Sequence, residues 1–311
     1  MKVLVIGFGS IGHLHTEILS AMEQVERVDL VTKQEIADLQ TWLSLEAVPD
    51  LNIYDFFLIA SETWKHYKQL KFLESHVSNK IILVEKPLFS AKERLKIENN
   101  RVFVAYNLRF HPVIKKIRNW LQGKRTLSTS IVVGQYLPTW RPAVDYRTSY
   151  SAFKEKGGGV LLDLSHELDY IQWLFGEVIM VDAISRKISN LEIDSDDYLT
   201  MIGTTDDGVH LNLTMDYISK ITVRQILIHT DESTIKADLI EGSVVRKKSV
   251  GELETVTLPE IDRNTTYTRM HQDLLAGKFD IICTFEEGVS IMNLIEQIRD
   301  SSSRKEQNDV E

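Results

Sequence analysis

The stretch MKVLVIGFGSIGHLH (residues 1–15) decides the fold. Lys2–Ile6 is a short run rich in β-branched residues, and glycines at 7, 9 and 12 end it. Ser10–Met22 then carries Ile11, Leu14, Ile18 and Leu19 at helical spacing. A GxGxxG by itself is a weak signal, but here it closes a strand and opens a helix, which is the setting the pattern requires. Gly7 allows the tight turn, Gly9 lets backbone approach a pyrophosphate, and Gly12 permits close helix–strand packing. The helix start adds free N–H groups and partial positive charge. Gly7, Phe8, Gly9, Ser10, Ile11 and Gly12 are therefore the candidate cradle for a dinucleotide.

Working outward, the sequence predicts strands at Arg27–Thr32, Asp55–Ala60, Lys80–Val84 and Arg101–Tyr106. Helices are expected at Glu35–Leu45, from Thr63 onward and at Ala91–Glu98 (AKERLKIE). Strands alternating with helices at this spacing mean βαβ units and a doubly wound parallel sheet of Rossmann type, hence an α/β class. After Tyr106 the rhythm changes. A helix near Pro112–Gln122 and a strand at Ser128–Tyr136 precede a long polar-aromatic loop (137–159) and a helix at Leu161–Phe175. Extended segments follow at Val178–Ile188, Tyr198–Thr204, Val209–Asp216, Ile221–His229, Ser233–Leu239 and SVVRKKS (243–249). Turn signals such as DDG and EGS between them point to a large, mostly antiparallel sheet. Helices at Tyr267–Ala276 and Glu286–Asp300 close the chain. The expected division is a dinucleotide-binding domain over 1–107, an α+β domain for substrate binding and oligomerisation over 108–301, and a frayed polar tail over 302–311.

The formal net charge of −9 argues against a nucleic-acid or anionic-membrane partner, since both need a basic face. Cys283 is the single cysteine, so there is neither an intramolecular disulfide nor a thiolate cluster for zinc. The histidines show no metal spacing with carboxylates, and no metal site is read. The apolar run Val3–Ile6 is too short for a signal peptide, so a cytoplasmic protein is expected.

The tip of the second strand reads Val31-Thr32-Lys33. An acidic residue there would accept from the ribose 2′-hydroxyl of NAD, whereas Thr32 and Lys33 suit a 2′-phosphate, which favours NADP(H) over NAD(H). Asp29 and Glu35 are the nearby carboxylates that would argue the other way. IILVEKPLF (81–89) is a buried strand ended by Pro87, which has no N–H for a ladder and holds Lys86 extended at the carboxyl edge of the sheet.

The glycine turn, Glu85-Lys86-Pro87 and GGGVLLDLSHELDY (157–170) together resemble the Gfo/Idh/MocA family of sugar oxidoreductases over nearly the whole chain. His15, Ser61-Glu62-Thr63 with His66, and Asn107, Arg109, Phe110 and Pro112 in YNLRFHP add to the resemblance. The loop WRPAVDYRTSY (140–150) is similar to that of members from surface-polysaccharide and amino-sugar pathways. The resemblance implies a nicotinamide cofactor contacted around Ser61, Glu62, Thr63, His66, Glu85, Lys86 and Asn107. It also implies that Lys86 hydrogen-bonds the reacting substrate hydroxyl. Family members usually place an aspartate four residues before the histidine of the second motif; here Asp163 and His166 are three apart. On one helix that spacing still shares a face. Asp169, three further on, is the alternative residue to fix the imidazole. His166 is the better candidate for proton transfer, because histidine titrates near neutrality unaided.

The expected activity is hydride transfer between NAD(P) and a secondary alcohol or ketone of a sugar, nucleotide sugar or amino sugar. Lys86, His166 and Asp163 are the catalytic candidates. Arg109, Trp140, Arg141, Asp145, Tyr146 and Arg147, with Asp163 and His166, are the substrate contacts, surface salt bridges being the duller reading of the charged ones. Gly157–Gly159 are expected to let their loop run close to the cofactor, a hinge being the alternative. The rivals are a non-catalytic dinucleotide sensor and a C=N reductase. A homodimer or homotetramer through residues 178–250 is expected, because the helix-poor sheet has few elements to cover one face.

Overall fold

The computed structural model describes the chain except residues 143, 252, 259–261, 263 and 309–311, with backbone alone at 306–308. In chain order the first half forms β1 (Lys2–Ile6), α1 (Ser10–Ser20), β2 (Arg27–Val31), β3 (Thr41–Trp42), β4 (Phe56–Ile59), α2 (Thr63–His76), β5 (Ile81–Val84) and β6 (Arg101–Val104). Then come α3 (Pro112–Leu121), β7 (Thr126–Gly134), α4 (Leu137–Trp140), α5 (Val160–Asp163), α6 (His166–Phe175), β8 (Val178–Arg186), β9 (Tyr198–Thr205) and β10 (His210–Asp216). The chain ends with β11 (Val223–Thr230), β12 (Ser233–Asp238), β13 (Ser243–Lys248), β14 (Leu253–Thr257), α7 (Asn264–Leu275), β15 (Cys283–Thr284) and α8 (Phe285–Asn308). It divides into two compact units, Met1–Phe110 with Asp262–Met292, and His111–Ile261 with Asn293–Glu311.

The first unit is built on a seven-stranded sheet in the order β15-β6-β5-β4-β1-β2-β3. Strands β1 to β6 are parallel, and β15 runs antiparallel to β6 at the edge. The order reverses between β1 and β4, so the glycine turn after β1 lies at the crevice where open α/β sheets bind ligands. Val3–Ile6 of β1 and the whole of β4 are apolar and buried on both faces, as a covered parallel sheet requires.

Three expectations for this unit are corrected. Glu35–Leu45 is not a helix. Ile36, Leu39 and Trp42 imitate helical spacing, but Asp38 has φ +65°, and Thr41–Trp42 add an edge strand beside β2. Ala91–Glu98 is irregular rather than helical: only Leu95 and Ile97 are half-buried, a period of two that gives a helix no apolar face. The buried Glu74 carboxylate of α2 takes the N–H groups of Glu98 and Asn99 at 2.8 and 2.6 Å, tying the end of that segment down. The domain limits also differ. The first unit runs to Phe110 and takes back 262–292, because Met270 and Leu274 of α7 complete the core formed by Val3, Val5, Phe56 and Leu58.

The second unit holds an eight-stranded sheet in the order β14-β13-β12-β11-β7-β10-β9-β8. All neighbours are antiparallel except β7 with β10. One face is core: Ile131, Val133, Leu199, Met201, Leu211, Leu213, Ile226, Ile228 and Ile235 alternate with exposed or half-buried residues. The expected helix Leu161–Phe175 is two helices, broken at Leu164–Ser165. Glu167 of α6, fully buried, is clamped by Arg224 of β11 through two bonds of 2.8 and 3.0 Å. The tail expected to fray is helical to Asn308. Its Ser301 and Ser302 hydroxyls accept the Ala183 and Ser185 N–H groups of edge strand β8, each at 2.9 Å. Serine is a middling helix former, and this edge gives its hydroxyls a use. No helix among the described residues is long and apolar enough to cross a membrane.

Candidate functional site

The glycine turn separates into two kinds of glycine. Gly7 has φ +100°, and a Cβ on it would lie 2.6 Å from the Ser61 backbone; one on Gly12 would lie 2.2 Å from the Gly7 carbonyl oxygen. Those two serve the protein's own packing. A Cβ on Gly9 would meet nothing within 4 Å. Gly9 is the N-cap of α1 and brings no side chain to satisfy the first-turn N–H groups. Open space over uncapped donors at a helix start fits a diphosphate, so the residues present suit a dinucleotide. Phe8 packs edge-on against His13, and its carbonyl accepts from Gln34 Nε2 at 3.0 Å. Ser10 and Ile11 begin the helix.

In the middle of β2, Asp29 is buried and accepts from Tyr54 Oη at 2.6 Å and Arg27 Nε at 2.8 Å. Burial, reinforced by Asp29, pushes the Tyr54 phenol up to about 12. Asp29 is thus committed to the fold. Thr32 Oγ1 accepts from Gln34 N at 3.2 Å, and Lys33 is exposed beside it.

Lys86 is half-buried, and its flanks are anchored. Glu85 Oε2 accepts the Lys86 N–H at 3.1 Å, while Glu85 Oε1 accepts from His15 Nε2 at 2.7 Å. His15 Nδ1 lies 2.6 Å from Nε2 of His271 on α7, and both rings are fully buried. His66 sits between carbonyls: Ser61 O is 3.0 Å from Nε2, and Pro87 O and Leu88 O are 3.2 and 3.3 Å from Nδ1. Burial pushes its pKa down, so at neutral pH it carries one proton and donates to one side only. Glu85 and His66, expected at the cofactor, are instead buried supports of the Lys86 turn. Ser61 Oγ donates to Gln69 Oε1 at 2.6 Å, Glu62 pairs with Lys65 at 2.6 Å, and Thr63 opens α2.

Arg109 is corrected outright. It is 2% exposed and donates through Nη1 to both Glu287 oxygens at 3.1 and 3.0 Å, which makes it a buried partner of the Thr284–Glu287 capping box of α8 and not a substrate contact. Asn107 Nδ2 donates to Thr266 Oγ1 at 2.7 Å, and its buried Oδ1 has no partner among the described residues, leaving an acceptor for a ligand.

His271 carries a prediction. Burial first, and the neighbouring His15 second, hold its pKa well below the ordinary 6.5. The unfolded chain then binds a proton that the folded one refuses. Stability should therefore fall as pH drops below about 6.5, by at most about 1.4 kcal/mol per pH unit from this group. Urea midpoints across pH 7 to 5 check it: His271→Gln should show a shallower loss than wild type.

In the second unit the break at Leu164–Ser165 removes the premise that Asp163 and His166 share one helix. Asp163 ends α5, 4% exposed, and Oδ2 accepts from Ser151 Oγ at 2.6 Å and Tyr217 Oη at 2.5 Å. Tyr150, 38% exposed, also hydrogen-bonds it, and burial, then Asp163, pushes the phenol of the fully buried Tyr217 up. Arg141 Nη2 donates to Tyr150 Oη at 3.1 Å and lies over the Trp140 and Tyr150 rings at 5.1 and 5.0 Å. Asp163 thus anchors a hydroxyl cluster joined by Trp140, whose ring is 5.9 Å from that of Tyr217. Ser151 and Tyr217 are not among the sequence candidates, and Tyr150 stands there only as the last residue of the loop 140–150. Tyr217 stands 54 residues from Asp163, and no local spacing could have announced it. His166 opens α6, buried, with Asp169 fully buried one turn on. Asp145 and Arg147 form an exposed ion pair with each other at 2.8 Å, and Tyr146 Oη accepts from Glu192 N at 3.4 Å. Gly158 and Gly159 are glycines because a Cβ would meet the Tyr150 carbonyl oxygen at 2.3 Å and Asp196 Oδ1 at 2.1 Å; packing, not approach to a cofactor, accounts for them.

The chain thus has a Rossmann-type sheet with an open glycine turn, followed by a unit built on a large mixed sheet. The family profile described as "Oxidoreductase family, C-terminal alpha/beta domain" matches residues 130–310, and the chain belongs to this Gfo/Idh/MocA family. An uncharacterized oxidoreductase of Synechocystis sp. is 27% identical over 193 residues, 57% of this chain and 52% of that protein; the match thus spans about half of that relative's length. Levoglucosan dehydrogenase in complex with NADH and L-sorbose has a similar fold, with a TM-score of 0.85 at 16% identity over 98% of this chain and 97% of that one. UDP-N-acetylglucosamine 3-dehydrogenase of Acidithiobacillus ferrooxidans aligns at a TM-score of 0.76 and 19% identity over 97% of each chain.

Proposed function

We propose that the protein is a nicotinamide-dependent dehydrogenase or reductase acting on a secondary alcohol or ketone of a sugar, with nucleotide and amino sugars among its substrates. The observation that carries this is the open space over Gly9 at the uncapped start of α1, with the anchored Lys86 on the same sheet. Family membership and relatives named as sugar and nucleotide-sugar dehydrogenases support it. The nicotinamide would accept or supply the hydride. Lys86 would hydrogen-bond the reacting hydroxyl, and His166 would take or return its proton. Asn107 Oδ1 would accept from the cofactor. Trp140 and Arg141 would meet the sugar and its charged substituent, an aromatic face and a planar cation suited to those groups. Incubating the purified protein with NAD(P)⁺ and a panel of sugars and nucleotide sugars, and following reduced nicotinamide, tests the reading; no turnover on any of them overturns it.

NADP(H) is the proposed preference. With Asp29 engaged internally, the β2 tip offers Thr32 and exposed Lys33. Calorimetric titration should show NADPH binding at least as tightly as NADH, and Lys33→Asp should shift the preference towards NADH. A clear NADH preference that survives Lys33→Ala refutes the assignment.

The second unit's sheet is proposed to pair with another copy of the chain. Its outer face exposes Ile202, Val132 and Leu227, and Ile179 and Met180 are exposed on edge strand β8. Light scattering at micromolar concentration should give a dimer or tetramer; a monomer mass would remove this proposal.

A further inference from the structure

Among the described residues, a buried chain of titratable groups joins three separate elements of the first unit, and the proposed chemistry does not use it directly. His271 on α7, His15 on α1 and Glu85 after β5 are 0, 0 and 5% exposed. They are linked by contacts of 2.6 Å (His271 Nε2 to His15 Nδ1) and 2.7 Å (His15 Nε2 to Glu85 Oε1). Burying two imidazoles and a carboxyl group costs free energy unless each is paired, and apolar side chains would fill the same space more cheaply. The chain ends on one backbone group, the Lys86 N–H, 3.1 Å from Glu85 Oε2.

Its direction follows from the donors available. An ionised Glu85 only accepts, so His15 Nε2 carries a proton. With His15 neutral, its Nδ1 is an acceptor and His271 Nε2 must donate. His271 Nδ1 is then a bare ring nitrogen, and that buried atom has no partner among the described residues. The opposite arrangement would have His15 donate from both nitrogens and put the His271 proton on Nδ1, burying an N–H with no acceptor, the rarer kind of orphan. Other titratable groups around the chain are Tyr267 of α7, edge-on to His15 at 5.2 Å, and His66 of α2, which feels the Glu85 charge; Phe56 of β4 covers His271 at 6.0 Å.

We infer that His271 and His15 are positioning residues for Lys86: the one-way chain His271 to His15 to Glu85 pins the Lys86 backbone, so α7, far along the sequence, sets where the lysine ammonium points. The consequence for turnover rests on the proposed role of Lys86; the consequence for the lysine itself does not.

The test uses the full-length protein and reads the lysine first. Lys86 is acylated with a small amine reagent, with no other ligand present, and its modification rate is followed by peptide mass spectrometry. His271→Leu keeps side-chain bulk but removes the donor, and His271→Gln keeps an ε nitrogen donor. The rate should change about threefold or more in His271→Leu and return to near wild type in His271→Gln, a contrast that general loosening of the fold would not produce. On a sugar that the panel shows to be turned over, His271→Leu should lower kcat about tenfold, since small misplacements of a reacting group cost that much or more. KM for the dinucleotide should stay within about twofold. In the Lys86→Ala background, His271→Leu should cost nothing further. An unchanged Lys86 modification rate in His271→Leu overturns the inference, as does equal damage from Leu and Gln or an additive double variant. Full turnover in Lys86→Ala overturns the proposed role of the lysine instead, and the modification rate alone then decides the positioning claim.

Discussion

Lys86→Ala and His166→Ala should each cut turnover by ~10²–10⁴-fold, the usual worth of a placed proton donor or acceptor, roughly 3–5 kcal/mol of barrier. Dinucleotide affinity, measured by calorimetry, should stay near wild type, because the candidate phosphate cradle lies in the β1–α1 turn and not in either side chain. Lys86 has its own N–H held by Glu85, and the buried His66 lies against the following Pro87 and Leu88 carbonyls, so truncating the lysine side chain leaves the turn supported. Asp163→Asn separates two roles. Asp163 accepts from Ser151 and Tyr217, and an amide that kept its oxygen there would preserve part of the cluster, so its loss should be smaller than that of His166→Ala. A loss as large would place Asp163 in the proton relay. Turnover within about threefold of wild type for both Lys86→Ala and His166→Ala would favour a non-catalytic sensor, and the catalytic assignment would be abandoned.

The glycine turn gives the second large effect, and it splits by position. Gly7→Ala forces a side chain into φ +100° with its Cβ 2.6 Å from backbone, and Gly12→Ala drives a Cβ to 2.2 Å from the Gly7 carbonyl oxygen. Each should destabilise the protein by roughly 3 kcal/mol or more, seen as a lowered urea midpoint or as failure to fold. Gly9→Ala has φ −77° and free space, so its denaturation midpoint should match wild type. Its dinucleotide affinity should nevertheless fall about tenfold or more, about 1.4 kcal/mol, because the new methyl stands where the diphosphate would lie. A Gly9→Ala protein that binds NADPH and NADH as wild type does would remove the turn from the binding site.

Much of this was legible in the sequence, because the deciding signals were local. The β-branched run Lys2–Ile6, three glycines and a helical apolar stripe specify a strand, a tight turn and a helix within a few residues of one another. The alternating strands of the second unit likewise carry their own period-two pattern, and the Pro87 stop at the end of β5 needed no distant partner to be read. What the sequence misassigned depended on partners far along the chain. Glu35–Leu45 has helical spacing but lies beside the open edge of β2, whose unpaired backbone takes up Thr41 and Trp42. Arg109 reads as a substrate contact until Glu287 is brought beside it, and no local spacing shows the Tyr217 hydroxyl that Asp163 accepts from. The apolar face of α7 fits any core; only the packed first unit shows that it belongs with β1 and β4, bringing His271 onto His15. Backbone conformation and strand period are set by neighbours in sequence, whereas the state of a buried charge is set by whatever the fold places within about 3 Å of it, and that is decided only when the chain has closed on itself.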